Sequence, residues 1–443
     1  MADLLLRRAA VLDETGAFEG PLDVAVRGGT IEAVGRDLAA DGLREVDCEG
    51  LFLMPGVIDC HAHVGIGSLD MPRLLDQPIT RWALEAAVNA RLTLEGGVTL
   101  VRDAGGADAG IRDAIADGVA VGPRLQVSIV LICQTGGHGD GFLRGPGLEL
   151  ASQYILPEYP GRPPFVVDGV DMMRKVVRQC LRAGADWIKV AATGGVLSPH
   201  DDPLGAEFTR DELAAAVFEA GRKGKGVLAH AFGGEGVDLA IETGIRSIEH
   251  GIFLTEEQAA RMAERGTWLV PTLAVMEDVF ALARDGKLPP DLAQKALTLE
   301  AVQGKAVAIA REAGVRIALG TDAFMRPAHG RNLREIALMT RAGLTPQESL
   351  RAATAGGAEL CGVADRLGRI APGLAFDAIL LDEDPSDATL FERDGVVTGV
   401  FRAGEAGRRA PAARGLTAVS PPPPSRRFDS AMNAAWISSS AAA

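Results

Sequence analysis

The sequence predicts an α/β protein: a (β/α)8 TIM barrel with a small β-sandwich-like domain formed from both chain termini. Eight short apolar runs alternate with amphipathic stretches between residues 55 and 362, which is the pattern of parallel strands covered by helices. Eight such units are typical of a closed barrel. Short alternating β segments before residue 55 and after residue 362 predict the smaller domain.

The chain accordingly divides into four predicted parts. Residues 1–54 and 363–409 would supply the two halves of the small β domain, and residues 55–362 would form the barrel. Residues 410–443 are rich in Ala, Pro and Ser, which predicts a low-complexity C-terminal arm. Near the start, Gly28 and Gly29 stand between two alternating runs, and this indicates a hairpin.

The eight predicted strands are short and rich in β-branched or apolar residues. They cover residues 56–63, 98–105, 124–132, 187–193, 226–233, 247–251, 268–273 and 316–323. Amphipathic periodicity predicts helices over residues 80–95, 170–183, 209–223, 255–264, 291–313 and 332–341. Thr209 with Glu212, and Thr255 with Gln258, have the spacing of a capping box at two helix starts.

One connection, residues 133–166, is longer than the others and rich in Gly, Pro and aromatic residues. Long loops in compact domains are often functional. We therefore expect a lid here, with Tyr154, Tyr159 and Phe165 as its candidate contacts.

The composition favours a globular protein that acts on small molecules. Hydrophobic residues make up 47% and charged residues 23%, and the formal net charge is −14. Nucleic-acid surfaces are normally basic, so this charge argues against one. No segment approaches the roughly 18 consecutive apolar residues of a membrane span, and the start carries no recognisable export signal. The five cysteines lack CxxC spacing, so we expect reduced thiols in a cytoplasmic protein.

Histidines fall where the predicted barrel strands end. Of the seven, His61 and His63 end the first strand, His230 the fifth and His250 the sixth, while Asp322 ends the eighth. The carboxyl ends of the strands meet on one face of a barrel, where active sites lie. Period-two spacing sends the rings of His61 and His63 to the same side of their strand. Imidazoles and a carboxylate suit Zn²⁺ or a similar divalent ion.

Lys189 ends the fourth predicted strand and would point into the same mouth. A buried ammonium beside cations is unfavourable, which leaves two explanations open. Capture of carbon dioxide would turn the amine into an anionic carbamate that could bridge two metal ions. Alternatively, an ion pair with Asp103 or Asp322 would neutralise the ammonium. Arg102 and Asp103, after the second strand, are candidates to support the ligands from behind.

These motifs together resemble the amidohydrolase superfamily. The resemblance rests on PGVIDCHAH at residues 55–63, on Lys189, His230 and His250, and on GTDA around Asp322. It extends from the N-terminal β segments to IAPGLAFDAILLD. The chain is similar in particular to the branch that contains imidazolonepropionase-like proteins and prolidase-type metal-dependent dipeptidases, some of which hydrolyse N-acyl amino acids, including ochratoxin.

The resemblance implies a ligand set around two divalent metal ions, most simply Zn²⁺: His61, His63 and Asp322 at the more buried ion, His230 and His250 at the second, and a bridging N6-carboxylysine at Lys189. Imidazolonepropionases lack this lysine and use a single metal ion. Lys189 therefore favours the binuclear, dipeptidase-like group.

The charges then predict a mechanism. Two cations beside one water lower its pKa, so a metal-bridging hydroxide would attack the amide carbonyl. Asp322 would act as general acid and base, accepting the proton of the water and delivering it to the leaving nitrogen.

Two residues are candidates to contact the substrate near the scissile bond. His138, in the glycine-rich stretch QTGGHGDGF, resembles a histidine that relatives place against the substrate carbonyl or carboxylate, and it would serve catalysis. Phe232 stands where many relatives carry His or Tyr, and it would give the pocket an apolar wall.

A substrate with a free carboxylate would need a cation or hydrogen-bond donor. Arg144 and Arg326 are the predicted suppliers, with Arg331 as a further possibility. His200 and His329 lie further along their loops, so we expect them at the rim or surface.

The predicted function is therefore that of a metal-dependent amidase of dipeptidase or carboxypeptidase type. It would cleave the bond between an acyl or aminoacyl group and a C-terminal amino acid, taking a small-molecule amide or dipeptide as substrate and acting as a homo-oligomer. The alternative is a cyclic-amide hydrolase resembling imidazolonepropionase. A non-catalytic binding protein is a remote third class, because such proteins usually lose metal ligands and here the whole set is present.

Overall fold

The computed structural model of the chain describes residues 3–68, 71–149, 159–198, 201–326 and 328–407. The predicted C-terminal arm at residues 410–443 lies outside these residues. Tyr154 of the predicted lid and His200 of the predicted rim also lie outside them.

Strands and helices alternate through most of the described chain. The strands are β1 (Leu4–Leu12), β2 (Phe18–Arg27), β3 (Thr30–Gly35), β4 (Arg44–Asp47), β5 (Phe52–Pro55), β6 (Val57–Ala62), β7 (Val98–Asp103), β8 (Arg124–Val127), β9 (Leu131–Ile132), β10 (Phe142–Leu143), β11 (Leu148–Glu149), β12 (Ile188–Ala191), β13 (Val227–Ala231), β14 (Ser247–His250), β15 (Trp268–Val270), β16 (Ala378–Leu381), β17 (Val397–Arg402) and β18 (Glu405–Gly407).

The α-helices are α1 (Met71–Leu75), α2 (Ile79–Glu95), α3 (Ala109–Ala116), α4 (Val170–Arg182), α5 (Arg210–Gly221), α6 (Gly234–Thr243), α7 (Glu256–Arg265), α8 (Leu273–Arg284), α9 (Pro290–Glu300), α10 (Lys305–Glu312), α11 (Arg334–Arg341), α12 (Pro346–Arg351) and α13 (Gly357–Leu360). A π-helical segment, Ala352–Gly356, joins α12 to α13, and a 3₁₀ helix covers Ala388–Glu392.

Both chain ends contribute to one eight-stranded sheet. Its order is β18-β17-β16-β5-β1-β2-β3, with β4 beside β1. Leu53 of β5 pairs with Leu380 of β16, which joins the first part of the chain to the last. Gly28 and Gly29 have φ of 57° and 80°, so the predicted hairpin between β2 and β3 has the left-handed residues that a two-residue turn requires. The borders of the small domain at residues 54, 362 and 409 remain a prediction.

Parallel pairing joins the barrel strands into two sheets, β6-β7-β8 and β9-β12-β13-β14-β15. Residues 316–323, the predicted eighth strand, link these sheets on one side. Ile317 pairs with Leu269 of β15, and Ala323 pairs with Ala62 of β6. On the other side the chain runs directly from β8 to β9. The eight β segments therefore surround one barrel, as predicted.

All eight predicted barrel strands are shorter than the sequence pattern indicates, and residues 316–323 form only isolated bridges. Two of the others are interrupted or ended by left-handed backbone. The segment 124–132 is broken into β8 and β9, because Ile129 between them has a φ of 70°, which no extended strand allows. The segment 268–273 ends as a strand at Val270. Thr272 is left-handed, with a φ of 49°, and stands at the start of α8.

The prediction of one continuous helix over residues 291–313 was wrong. Two helices, α9 and α10, occupy this range, and Gly304 before α10 has a φ of 80°. The other predicted helices correspond to α2, α4, α5, α7 and α11. The capping box of α7 is present, because Thr255 and Gln258 each accept a hydrogen bond from the other's backbone amide at 3.2 Å.

No helix in the described part of the chain has the length and apolar character to span a bilayer. All five cysteines are buried and free. Phe165 is only 3% exposed and belongs to the main core, so it anchors the end of the long connection rather than forming part of a lid.

An ion pair joins the barrel to the terminal sheet. Arg124 at the start of β8 donates to the two carboxylate oxygens of Asp377 at 2.9 and 3.2 Å, and the Asp377 side chain is 2% exposed. We expect Arg124→Met to lower the free energy of unfolding by about 1–3 kcal/mol, because the buried carboxylate loses two charge-assisted hydrogen bonds. Urea denaturation followed by circular dichroism measures the change.

Arg8→Met is the matched control. Arg8 pairs with Asp47, and both side chains are about half exposed, so its loss should cost less than about 1 kcal/mol. Equal losses in the two variants would contradict the role assigned to Arg124.

Candidate metal centre

Five candidate ligands converge at the carboxyl ends of the barrel strands. Asp322 Oδ1 lies 3.0 Å from His63 Nε2 and 3.6 Å from His61 Nε2. His230 Nδ1 lies 2.8 Å from His250 Nε2. One ligand atom from each of His61, His250 and Asp322 lies within 4.8 Å of the other two. The structure thus brings together the side chains that the sequence placed at four different strand ends.

A buried carboxylate inside the barrel holds the ring of His61. Glu249 Oε2 lies 2.7 Å from His61 Nδ1, and Glu249 Oε1 accepts from Arg102 Nη2 at 2.9 Å and from Ser247 Oγ at 2.5 Å. Arg102 also lies over the Trp187 ring, 4.9 Å from its centroid. Since Glu249 occupies Nδ1, His61 turns Nε2 toward Asp322.

Asp103 holds the loop that positions His63. Its carboxylate accepts from the backbone amides of Val64, Gly105 and Ala107 at 2.7–3.1 Å. Burial raises the pKa of Asp103 to about 7. The carbonyl of Gly105 accepts from His63 Nδ1 at 2.7 Å, which turns His63 Nε2 toward Asp322.

His230 and His250 face each other across a short gap. His250 Nδ1 is hydrogen bonded to Thr272 Oγ1 at 2.6 Å, and His230 Nε2 contacts the Gly194 carbonyl at 3.1 Å. The remaining ring nitrogens lie 2.8 Å apart. Either one of these nitrogens donates a hydrogen bond to the other, or both are unprotonated and their lone pairs repel each other unless a cation binds between them.

Backbone strain is concentrated at this mouth. His250, Thr272 and Asp322 have φ of 74°, 49° and 54°, in the left-handed region that residues other than glycine rarely adopt. Each such residue costs on the order of 1–3 kcal/mol, and strained residues cluster at functional sites.

Three of the four imidazoles at the centre are held neutral, whereas hydrogen bonding to Asp322 and its charge outweigh burial at His63 and raise its pKa. Burial, reinforced by the nearby Lys189 ammonium, lowers the pKa of His61 well below its ordinary value and that of His250 to about 3. Burial also lowers the pKa of His230. Neutral imidazole is the form that binds a metal ion.

Lys189 is buried at the same mouth. It is 2% exposed, and its Nζ makes no hydrogen bond to the residues that the structure describes. Burial lowers the pKa of the amine to about 8, although Glu249 and Asp322 oppose that shift. Ion pairing with Asp103 or Asp322, one of the two expectations, does not match the structure: Asp103 bonds to backbone amides and Asp322 to His63.

His138 lies against His230. Their ring centroids are 4.1 Å apart and the rings are nearly parallel, with an angle of 17° between their planes. The backbone of Gly195 lies on the His138 ring so closely that a Cβ atom at Gly195 would stand 2.1 Å from His138 Cε1. This position therefore requires glycine because of close approach.

The predicted substrate contacts differ in their burial and in their partners. Phe232 is buried, with its ring 4.8 Å from that of His230, and its role as an apolar wall of the pocket stays a prediction. Arg144 is exposed in the turn between β10 and β11. Arg326 is paired with Glu85 at 3.7 Å and donates to Asn89 at 3.3 Å.

His329 was expected at the rim, and this was wrong. It is 4% exposed, and its Nε2 donates to the Ile66 carbonyl at 3.0 Å. The loop after Asp322 folds back against α2, which buries the ring. Arg331 points outward and pairs with Asp394.

Sequence reasoning missed Glu249, Thr272 and Glu207. The Glu207 carboxylate accepts a hydrogen bond from the His138 amide. Glu249 had a signal, because an acidic residue inside an otherwise apolar strand needs a buried partner. Thr272 had none, since its left-handed backbone is visible only in the structure.

The donor set fits a divalent metal ion. Ligand atoms bonded to one tetrahedral ion at about 2.0–2.2 Å lie roughly 3.3–3.6 Å apart, close to the distances of 3.0 and 3.6 Å from Asp322 to the two histidines. The partnerless buried Lys189 Nζ beside these ligands also fits an amine that becomes anionic when metal is bound.

Comparisons with known proteins agree with the predicted resemblance. A sequence profile of the amidohydrolase family matches residues 52–407. Ochratoxinase from Aspergillus niger is 36% identical over 373 residues, which cover 80% of this chain and 75% of the relative. Imidazolonepropionase from Rhodococcus jostii is 30% identical over 427 residues, covering 89% and 92%.

Solved structures of related enzymes are also similar to this chain. A prolidase crystallised with N-methylphosphonate-L-proline superposes with a TM-score of 0.83 at 31% identity, covering 92% of this chain and 99% of the other. The crystal structure of the A. niger ochratoxinase gives 0.80 at 31% identity, with 93% and 96% covered.

We expect Gly195→Ala to expel the His138 ring from its stack on His230, because the new methyl group overlaps the ring. A crystal structure of the variant would show this directly. Gly145→Ala is the control, since no atom of the described residues lies within 4 Å of a Cβ built there. An unmoved His138 in Gly195→Ala would contradict the close packing.

His329 makes stability depend on pH. Burial lowers its pKa to about 4, whereas an unfolded chain protonates histidine near pH 6.5. Between these values the unfolded state binds the extra proton, so stability is lost as the pH falls from about 6.5 to 4. The loss is at most about 1.4 kcal/mol per pH unit for this group.

His329→Gln should therefore flatten the pH dependence of the free energy of unfolding over that range. Urea denaturation at several pH values measures the slope for both proteins. Parallel slopes for wild type and variant would show that His329 is not held neutral.

Proposed function

The chain belongs to the amidohydrolase family, and we propose that it is a metal-dependent hydrolase of dipeptidase or carboxypeptidase type. Its substrate would be a small amide in which an acyl or aminoacyl group is joined to a C-terminal amino acid, such as an N-acyl amino acid of the ochratoxin kind. The convergence of His61, His250 and Asp322 ligand atoms at the barrel mouth carries this proposal.

We assign the ligands as the sequence predicted: His61, His63 and Asp322 to the more buried ion, His230 and His250 to the second, and a carboxylated Lys189 between them. The depressed pKa of Lys189 supports this assignment, because an unprotonated amine can capture carbon dioxide. We further expect zinc as the metal, a cytoplasmic location and a homo-oligomeric state.

Two bound divalent ions would polarise the amide carbonyl and lower the pKa of water. The protein's own groups would do the rest. Burial raises the pKa of Asp322, but the attraction of His61 and the hydrogen bond to His63 outweigh burial and lower it, so the carboxylate would be ionised. It would accept the proton of the attacking water and return it to the leaving nitrogen.

The apolar residues near the centre favour a substrate with an apolar group on one side of the scissile bond. Phe232 lies in a buried apolar cluster with Val196, Ile252 and Val275. A free carboxylate at the other end would need a cation. Arg326 would have to exchange its contact with Glu85 for the substrate, and Arg144 would have to approach from the β10–β11 hairpin.

A cyclic-amide hydrolase is the second candidate. The relative named imidazolonepropionase favours it through its coverage of most of both chains. Lys189 argues against it, because a single-metal centre has no use for a bridging anion at this position.

We expect the wild-type protein to bind about two metal ions per chain and to hydrolyse N-acyl amino acids or dipeptides. Lys189→Ala should bind one ion or fewer and lose hydrolysis, because the bridging ligand is gone. Elemental mass spectrometry measures the metal, and a substrate panel that includes C-terminally amidated and cyclic amides measures the activity.

Lys225→Ala is the control, since Lys225 is a partly exposed lysine paired with Asp186. It should leave metal content and hydrolysis unchanged. Full metal content in Lys189→Ala would contradict the bridging role. Hydrolysis of cyclic amides alone would favour the second candidate, and the absence of both metal and hydrolysis would leave a binding protein.

A further inference from the structure

A chain of hydrogen bonds runs from α9 to the His138 ring. Lys295 Nζ donates to the carbonyls of Gly195, Ser198 and Asp201 at 2.8–2.9 Å and to Asp201 Oδ1 at 3.1 Å. Asp201 Oδ2 receives the Gly195 amide at 2.7 Å and Ser198 Oγ at 2.5 Å. Ser198 Oγ lies 2.8 Å from His138 Nδ1.

The protons in this chain can be assigned. Burial raises the pKa of Asp201, but hydrogen bonding from His138 and Ser198 outweighs it and holds the pKa at about 2. The carboxylate is therefore ionised and only accepts. The single hydroxyl proton of Ser198 goes to Asp201, so the Ser198 oxygen must accept from His138. The proton of a neutral His138 ring then lies on Nδ1.

The faces of the His138 ring and the backbone amide of His138 are also held by neighbouring groups. The ring stacks on His230 on one side and packs on Gly195. The His138 amide donates to Glu207 Oε1 at 2.5 Å, and Glu207 is 7% exposed. His138 Nε2, by contrast, makes no hydrogen bond to the residues that the structure describes.

We propose that Ser198, Asp201 and Lys295 are positioning residues that hold neutral His138 in its Nδ1–H tautomer and leave Nε2 as an acceptor for an N–H group of the substrate. The catalytic role of this tautomer rests on the proposed function, but the assignment of the tautomer itself does not. The amide nitrogen beside the scissile carbonyl is the substrate group of matching chemistry. None of these three residues is a candidate metal ligand.

The test is ¹⁵N NMR of the full-length, metal-loaded protein labelled with ¹⁵N-histidine, recorded about two pH units above the ordinary histidine pKa. The His138 signals are identified by their loss in His138→Gln. We expect a protonated Nδ1 and an unprotonated Nε2 in the wild type and in Ser198→Thr, which keeps the hydroxyl group. Ser198→Ala and Lys295→Met should populate the other tautomer.

Lys287→Met is the matched lysine control, because Lys287 is exposed and pairs with Asp285, two residues before it. It should give the wild-type spectrum. A wild-type His138 protonated at Nε2, or a tautomer unchanged in both Ser198→Ala and Lys295→Met, would overturn the proposal.

Kinetics add a second readout. Ser198→Ala should lower kcat about tenfold or more with its metal content unchanged, and Ser198→Thr should recover most of that loss. Equal losses in the two variants would contradict a role for the hydroxyl group. If the protein hydrolyses no amide, the spectra still decide the tautomer, so failure of the proposed function is distinguishable from failure of this inference.

Discussion

Inside the barrel, Glu249 accepts hydrogen bonds from Arg102, Ser247 and His61 without any exposure to water. Removing ions from water is expensive, so such a pair persists only when every donor and acceptor is matched. Loss of one partner would leave an unpaired charge, at a cost of about 3–5 kcal/mol. The orientation of His61, and with it the position of the other ligands, depends on this buried chain.

The same arrangement recurs around the centre. Each ring nitrogen that faces away from the other ligands is held by a group on a different loop or strand: Gly105 for His63, Thr272 for His250 and Gly194 for His230. Left-handed backbone at His250, Thr272 and Asp322 sets these directions. The cost of that strain is offset by the surrounding packed core, which leaves the side chains few alternative positions.

Lys189 differs from these residues. The nearby carboxylates of Asp103 and Asp322 have other partners, whereas Lys189 Nζ is buried without a hydrogen-bond partner among the described residues. A group of this kind in a folded interior is destabilising unless binding or modification completes it. The proposed carboxylation would account for such a residue here, because an amine that is already desolvated would become the bridging anion.

Much of the fold follows from local patterns. Alternation and amphipathic periodicity identified the barrel strands, five of the thirteen described α-helices and the hairpin at Gly28, because these patterns report which face of each segment is buried. Period-two spacing and the position of strand ends also identified His61, His63, His230, His250 and Asp322. A ligand at the end of a parallel strand needs no further information to be placed at the mouth of a barrel.

Only the tertiary structure decided the remaining features. The break at Ile129 and the strained Thr272 depend on left-handed backbone that a β-branched residue adopts only when its surroundings require it. The burial of His329 depends on a loop folding back on α2. The contacts of His138 with Ser198, and of Lys295 with Asp201, join segments 60 or more residues apart. Sequence determines which residues can ligate, but packing over such separations determines how their partners orient them.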